Sequence, residues 1–373
     1  MNRRFILAVL FAMALAVLAT TLIWWLRLEQ DKRHKMQGDE SPLLRFVLQH
    51  LWDPSGGIYT NLRDDLELQP DMAGNHQMLS ESTGLMMAYA LRTDRRALFD
   101  TQVSFLTEHL MTDDGQIRWV YEKQGPYSDV HVNASIDDLK IIGALLDAAD
   151  RWQIERYERL ANRLAGVLLT QGVKDGYLAD YYDWRYGDRA DTITSSYLEL
   201  QVLGKLASRD PSWQPIYERA DALLKSAHLS NGLFYKTFVI SDQSWIEPKE
   251  FNMIDVLYAA LNLMDGGGDV SNTVDMIEGL WQKDGKLFAS YDTQLQIVDE
   301  SISPAVYALA CRLLANADRM TIAEDIREAL KLMSVQDEGS PYYGGFVEPN
   351  TLEAYSFDHL QALLAESEWE AEW

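Results

Sequence analysis

The chain has 373 residues, 47% of them hydrophobic, with 57 Asp and Glu against 33 Lys and Arg and a net charge of −24. Such an acidic surface repels phosphate backbones, which excludes nucleic acid as a natural partner and favours a neutral or cationic substrate. A single cysteine, Cys311, excludes an intrachain disulfide and a cysteine-ligated metal cluster.

In chain order, residues 1–4 form a short basic segment, and Phe5 to Leu26 runs for 22 residues without a charge. At about 1.5 Å per residue that stretch is long enough to cross a bilayer. It is longer than a secretory signal's apolar region, and Trp24-Trp25 has the character of an interfacial anchor. An uncleaved transmembrane anchor over 5–26 is expected, with a cleaved, secreted form as the alternative. Residues 27–40 read as a charged tether. Residues 41–373 read as one domain, expected on the outer side of the membrane.

Within that domain a helix-opening signal returns six times: at Ser80-Glu81, Ser135-Ile136-Asp137-Asp138, Ser195-Ser196, Glu250-Phe251-Asn252, Glu300-Ser301 and Tyr355-Ser356. Marked at Glu81, Ser135, Ser195, Phe251, Ser301 and Tyr355, the steps are 54, 60, 56, 50 and 54 residues. That is the length of two helices with their loops. Each opener precedes a smooth apolar run, such as Ile141 to Leu146 or Val306 to Leu314. Six more helices, amphipathic and charged, are predicted to begin near Pro42, Asp94, Ile154, Trp213, Val270 and Thr321. In the third of these, Tyr157, Leu160, Leu164, Val167 and Leu168 share one face.

The links from charged to smooth helices are long and open on glycine: Gly57-Ile58-Tyr59, Gly115 to Tyr121, Gly176 to Trp184, Gly232 to Tyr235, Gly285 to Tyr291 and Gly344-Gly345-Phe346. Six helical hairpins with long links on one side only, and no polar cap at either end, favour closure into an all-α (α/α)6 barrel over an open solenoid.

Closure would bring the N-termini of the smooth helices together on the long-link face. Glu81, Asp137, Asp138, Asn252, Asp255, Glu300 and Asp358 lie in or beside those first turns. Ordinary helix capping accounts for any one of them. It does not account for the aromatic residues of the same links, among them Trp119, Tyr121, Tyr181, Tyr182, Trp184 and Tyr186. An acidic cleft rimmed by aromatic faces suits sugar rings and acid/base work on a glycosidic bond. No phosphate loop or nucleophile elbow is present, and the seven histidines lack zinc-ligand spacing, so neither a metal nor a cofactor is expected.

The openers resemble those of glycoside hydrolase family 8 over about residues 41–370. Ser80-Glu81-Ser82-Thr83-Gly84-Leu85-Met86-Met87 is similar to the family's Ser-Glu-Gly-x-x-x-Gly-Met, and Ala134-Ser135-Ile136-Asp137-Asp138-Leu139 to Ala-Ser-Asp-x-Asp-Leu. Thr194-Ser195-Ser196-Tyr197 echoes Asn-Pro-Ser-Tyr, and Trp119 stands where the family places a sugar-stacking tryptophan. The resemblance implies an inverting hydrolase of β-linked polysaccharide, with Glu81 as general acid. The general base of many members falls here on Asn252, which cannot accept a proton. Asp255, one turn on, is the first candidate in its place, Asp138 the second, and Asp183 or Asp188 the third. Trp119, Tyr121, Trp184, Tyr197, Asn252 and Asp137 are the expected substrate contacts. The pattern looks most like a membrane-anchored, exopolysaccharide-associated branch. A glycan-binding protein with a degenerate site, or a lyase or other sugar enzyme on the same fold, is the alternative, and a protein scaffold a third reading.

Overall fold

The computed structural model describes residues 40–67, 73–123 and 129–370. The predicted basic segment, the span 5–26 and nearly all of the tether lie outside the described residues. Among the described residues no helix is long and apolar enough to cross a membrane. The chain divides into two units, Met1–Ser41 and Pro42–Trp373, and the second carries the fold below.

Twelve α-helices make up the frame among the described residues. They are α1 Pro42–Phe46, which continues as a wider π turn to Leu51, α2 Ser80–Arg92, α3 Arg96–Phe105, α4 Ser135–Trp152, α5 Glu155–Gln171 and α6 Leu200–Arg209. They continue as α7 Gln214–Ala227, α8 Met253–Asp265, α9 Ser271–Asp284, α10 Pro304–Asn316, α11 Met320–Met333 and α12 Ser356–Glu370. The even-numbered helices pack each on the next, and α12 returns onto α2, so the ring is closed. The predicted alternation has a direct counterpart in burial. In α4, 13 of 18 residues are buried, against five of 17 in α5, which places the smooth helix inside and the charged one outside. The buried stripe of α5 is Tyr157, Ala161, Leu164, Ala165 and Leu168. Its centre is rotated from the expected face, and Leu160 and Val167 fall at its margins.

The chain is not purely helical. The links carry antiparallel strands of two or three residues, such as Met78–Leu79 with Val120–Tyr121 and Tyr182–Asp183 with Asp188–Arg189. Each link opens on a glycine in the left-handed region, at Gly56, Gly115, Gly176, Gly232, Gly285 and Gly344, with φ from 61° to 97°, and the third link holds a second at Gly187. A side chain there would clash with its own backbone, which is why glycine recurs with the repeat. In the first link the strained position is Gly56, one before the expected Gly57.

The links also tie the openers together. The amide of Ser80 donates to the Trp119 carbonyl, Ser135 to Asp180, Ser195 to Lys236, Met253 to Ala289 and Ser356 to Thr60. Five of the six openers are thus hydrogen-bonded to the next link round the ring, the last of them to the first link, and at the fifth Ser301 accepts from Ala289 of its own link. This belt fixes the helix starts relative to one another on the long-link face.

Candidate active site

Polar residues at the openers divide into two kinds. At α8 the Asn252 side chain caps the helix, accepting from the amides of Ile254 at 2.9 Å and Asp255 at 3.4 Å. At α10 the cap is Ser303, reinforced by Asp358, which accepts from the Ala305 amide at 2.9 Å and from Ser303 Oγ at 2.9 Å. At α2 and α4, by contrast, the cap positions are Leu79 and Ala134, with no side-chain cap. Ser80, Glu81 and Asp138 are therefore not committed to capping, whereas Asp137 reaches from α4 to a first-turn amide of α2.

The structure brings Glu81 to Asp137. Asp137, 5% exposed, accepts from Ser80 Oγ at 2.5 Å and from the Glu81 amide. Burial pushes the Glu81 carboxyl up to about 8, the negative charge of Asp137 adds to that rise, and the Lys140 ammonium opposes it. Asp137 is itself raised to about 6 by burial, against the hydroxyl of Ser80, the charge of Lys140 and the Glu81 amide. Two carboxyls this close cannot both ionise cheaply, which favours a proton held between them, and Glu81 is the more strongly raised of the two.

Tyr197, on the single 3-10 turn Ser195–Tyr197, lies among the acidic groups. Burial, then the charges of Asp137, Asp180, Glu81 and Asp255, drive its hydroxyl well above the ordinary tyrosine range. Asp255 follows Asn252 by one turn. It accepts from Ser196 Oγ at 3.0 Å through Oδ1 and pairs with Lys236 Nζ at 2.8 Å through Oδ2. Asp180 accepts from the Thr194 amide at 2.6 Å and from the hydroxyls of Thr192 at 2.7 Å and Thr194 at 3.1 Å. Burial nonetheless raises it.

Other expected residues lie apart. Asp138 is turned into a small pocket with Gln116, Val167, Gln171, Tyr182 and Trp184, away from Glu81. There it accepts from Asn133 Nδ2 at 2.7 Å, and its Oδ1 is buried without a partner. Burial raises it well above the usual carboxylate range despite the Asn133 bond, and the charge of Asp137 adds to this. Trp184 belongs to that pocket and to an edge contact with His131 at 5.9 Å. Tyr121 packs on Phe105 and His109 of the outer layer, at 6.1 and 5.0 Å. Trp119 is half-buried beside the start of α2, through the Ser80 amide bond to its carbonyl. Asp183 and Asp188 shape the 182–189 hairpin, accepting from the amides of Arg185 and Arg189.

Three members of the cluster were absent from the sequence reading: Asp180, Lys236 and Lys140. Asp180 and Lys236 sit in links, where no helical period marks them. Lys140 follows Asp137 by three residues, so the helical spacing could have revealed it. Among the described residues no group of His, Cys, Asp and Glu could hold a metal ion.

Comparison with known proteins agrees with this fold. Residues 62–234 match the family model described as "Glycosyl hydrolases family 8". The chain is 30% identical over 312 residues to the Bacillus subtilis (strain 168) protein YdaJ, covering 83% of this chain and 84% of that one. It resembles the structure of a novel alpha-amylase from Clostridium perfringens with a TM-score of 0.81 and 29% identity, over 89% of this chain and 99% of that one. The endoglucanase Cel10 of Klebsiella pneumoniae, a family 8 glycosyl hydrolase, shares the fold with a TM-score of 0.63 at 16% identity, over 89% of this chain and 100% of that one. The closed helical ring, the family-model match and the 30% identical relative over 83% of the chain identify it as a member of glycosyl hydrolase family 8 and as a glycoside hydrolase.

Proposed function

We propose that the protein is an inverting polysaccharide hydrolase in which Glu81 is the general acid and Asp255 the general base. The observation that carries this reading is the Glu81–Asp137 pair. A carboxyl that keeps its proton at neutral pH is what a glycosidic leaving oxygen requires. In the proposed step Glu81 gives its proton to that oxygen as the bond to the anomeric carbon breaks. A water attacks the opposite face of the sugar and passes its proton to Asp255. Tyr197, near both carboxylates, orients the water. Asp255 is preferred to Asp138 because it shares the surroundings of Tyr197 with Glu81, whereas Asp138 is enclosed with Asn133. Asn252 keeps a side-chain NH2 for a sugar hydroxyl while its oxygen caps α8. Trp119, beside the start of α2, offers a ring face to sugar, whereas Trp184 stays with the separate Asp138 pocket. Inversion requires about 6.5–9.5 Å between the two catalytic carboxyls, room for the water.

The resemblance to family 8 favours a β-linked glucan or exopolysaccharide. One specific observation favours an α-linked glucan instead: the alpha-amylase from Clostridium perfringens is far more similar to this chain than the endoglucanase. Soluble β-glucans, amylose and bacterial exopolysaccharide, assayed for reducing-end release with the product anomer read by proton NMR, separate the readings. Release from β-glucan as the α-anomer supports the first, and release from amylose alone the second. Retention of configuration, or full activity in E81Q, sinks the assignment of Glu81 and Asp255. Binding without release from any polymer supports the degenerate-site alternative.

For location we propose attachment to a membrane through residues 5–26. YdaJ carries a lipoprotein designation, which fits a shared membrane location. In this sequence the single cysteine is Cys311, buried in α10, so no cysteine near residues 5–26 is available to carry a lipid. Release of the protein from membranes on deletion of residues 1–26 tests the assignment, and full retention contradicts it.

A further inference from the structure

Lys140 lies on α4, one turn beyond Asp137, with its Cβ 3.2 Å from where a side chain on Gly84 would begin. Gly84 is itself one turn beyond Glu81 on α2. The absence of a side chain there lets the two helices approach and seats the lysine under the carboxyl pair. Its stem is enclosed, and its side chain is only 12% exposed. The ammonium pairs with Glu199, just before α6, and stands 4.5 Å from the ring centre of Tyr258 on α8. Below them is a cavity of about 220 Å³ along the ring axis, whose far end carries Arg92, Asp147, Asp265 and Arg312. The groups facing Lys140 are thus Glu81 from α2, Asp137 from its own helix, Glu199 and Tyr258, with the Arg92, Arg312, Asp147 and Asp265 charges further off.

We infer that Lys140 is a positioning residue for the acid, a buried cation that favours the ionised form of Asp137 and sets the pH at which Glu81 gives up its proton. The inference rests on the reading of Glu81 as general acid. Its reason is geometric. Asp137 and Lys140 are neighbours on one helix face, and a buried cation favours ionisation of the carboxyl closest to it. The directions agree: Asp137 is among the groups that raise Lys140, and Lys140 opposes the rise of both carboxyls. Glu199 sets how much of the charge is felt.

The test uses the purified full chain and two substitutions of opposite sign. Lys140→Met removes the cation with little change of shape, and Glu199→Gln removes its counter-charge. Infrared pH-difference spectra follow the carbonyl band of the protonated carboxyl, assigned to Glu81 by its loss in E81Q. This readout needs no substrate. The midpoint of that band should rise by about 1–3 pH units in K140M and fall in E199Q, with K140R close to the parent. The alkaline limb of polysaccharide hydrolysis should move with it. Shifts of the infrared midpoint in these opposite directions support the role of Lys140 even if no polysaccharide is cleaved, an outcome that would instead remove the hydrolase reading. Folded K140M and E199Q proteins whose midpoints stay at the parent value overturn the inference and leave Lys140 a structural ion pair. If K140M does not fold, the sign of the E199Q shift decides.

Discussion

Glu81 sits in an environment far from that of a surface carboxylate, and its predictions follow from that. The substitution E81Q removes the proton donor and should lower polysaccharide hydrolysis by on the order of 10²–10⁴-fold, measured as reducing ends. The parent should lose activity as pH rises through about 8, where Glu81 gives up its proton. Asp137→Asn removes the neighbouring negative charge while keeping Ser80 in contact, so that limb should move to lower pH. A limb that stays in place would mean that Asp137 does not set the acid. Stability should move the other way. Glu81 is raised above its unfolded value, so its burial is costless below about 4.5 and increasingly costly as pH climbs through about 8. E81Q escapes that cost, and thermal scans at alkaline pH should show it melting above the parent. An inactive protein more stable than its parent is the signature of a strained functional group.

Helices carry the site by bringing their starts close together, and close packing makes that possible. A Cβ on Gly143 of α4 would come within 2.6 Å of Val202 Cγ2 on α6. Gly143→Ala should therefore cost about 1–3 kcal/mol by urea denaturation, a typical overpacking penalty. Val202→Ala in the same chain should recover part of it, and a strictly additive double mutant would contradict direct contact. The helices are also where the sequence is most readable. The opener period, the glycine in each link and the contrast between smooth and charged runs all express repeated local physics, and they correspond to the helix starts and to the closed ring. What the sequence conceals is orientation. Asp137 and Asp138 are consecutive, about 100° apart round a helix, and the motif resemblance favours Asp138 while the structure turns Asp137 to Glu81. Helical phase at an N-terminus is set by tertiary packing, which a run of letters does not encode. Asp180 and Lys236 were missed for a related reason. They lie in links whose course is fixed by the belt of opener hydrogen bonds, and such bonds join residues 36 to 45 positions apart, or 296 at the closure.

A closed ring must join its last helix to its first, and the join here is made partly by a histidine. His359 on α12 is fully buried and stacks on Phe46 of α1, with ring centres 4.7 Å apart. Its Nε2 accepts from the Phe346 amide at 2.9 Å, while Nδ1 faces the Tyr355 carbonyl at 2.7 Å. That network assigns the proton to Nδ1. Protonating Nε2 would set two N–H groups against each other inside the core. Burial lowers the folded value to about 4, against the bond to Tyr355, which favours the charged ring. The unfolded chain therefore takes up a proton between about 6.5 and 4 that the folded ring refuses. The stability due to His359 is complete above about 6.5 and is lost as pH falls towards 4, a change of about 3 kcal/mol by the conversion of 1.36 kcal/mol per pH unit. Glu81 and Asp137 are raised, so they favour folding as pH falls and partly mask this loss in the parent. The difference between parent and His359→Gln removes the mask, because glutamine can keep both hydrogen bonds without titrating. Urea midpoints at pH 7 and pH 4 should show the parent losing stability relative to H359Q across that interval. Parallel curves would mean that the imidazole titrates freely and that the closure of α12 on α1 does not depend on its charge state.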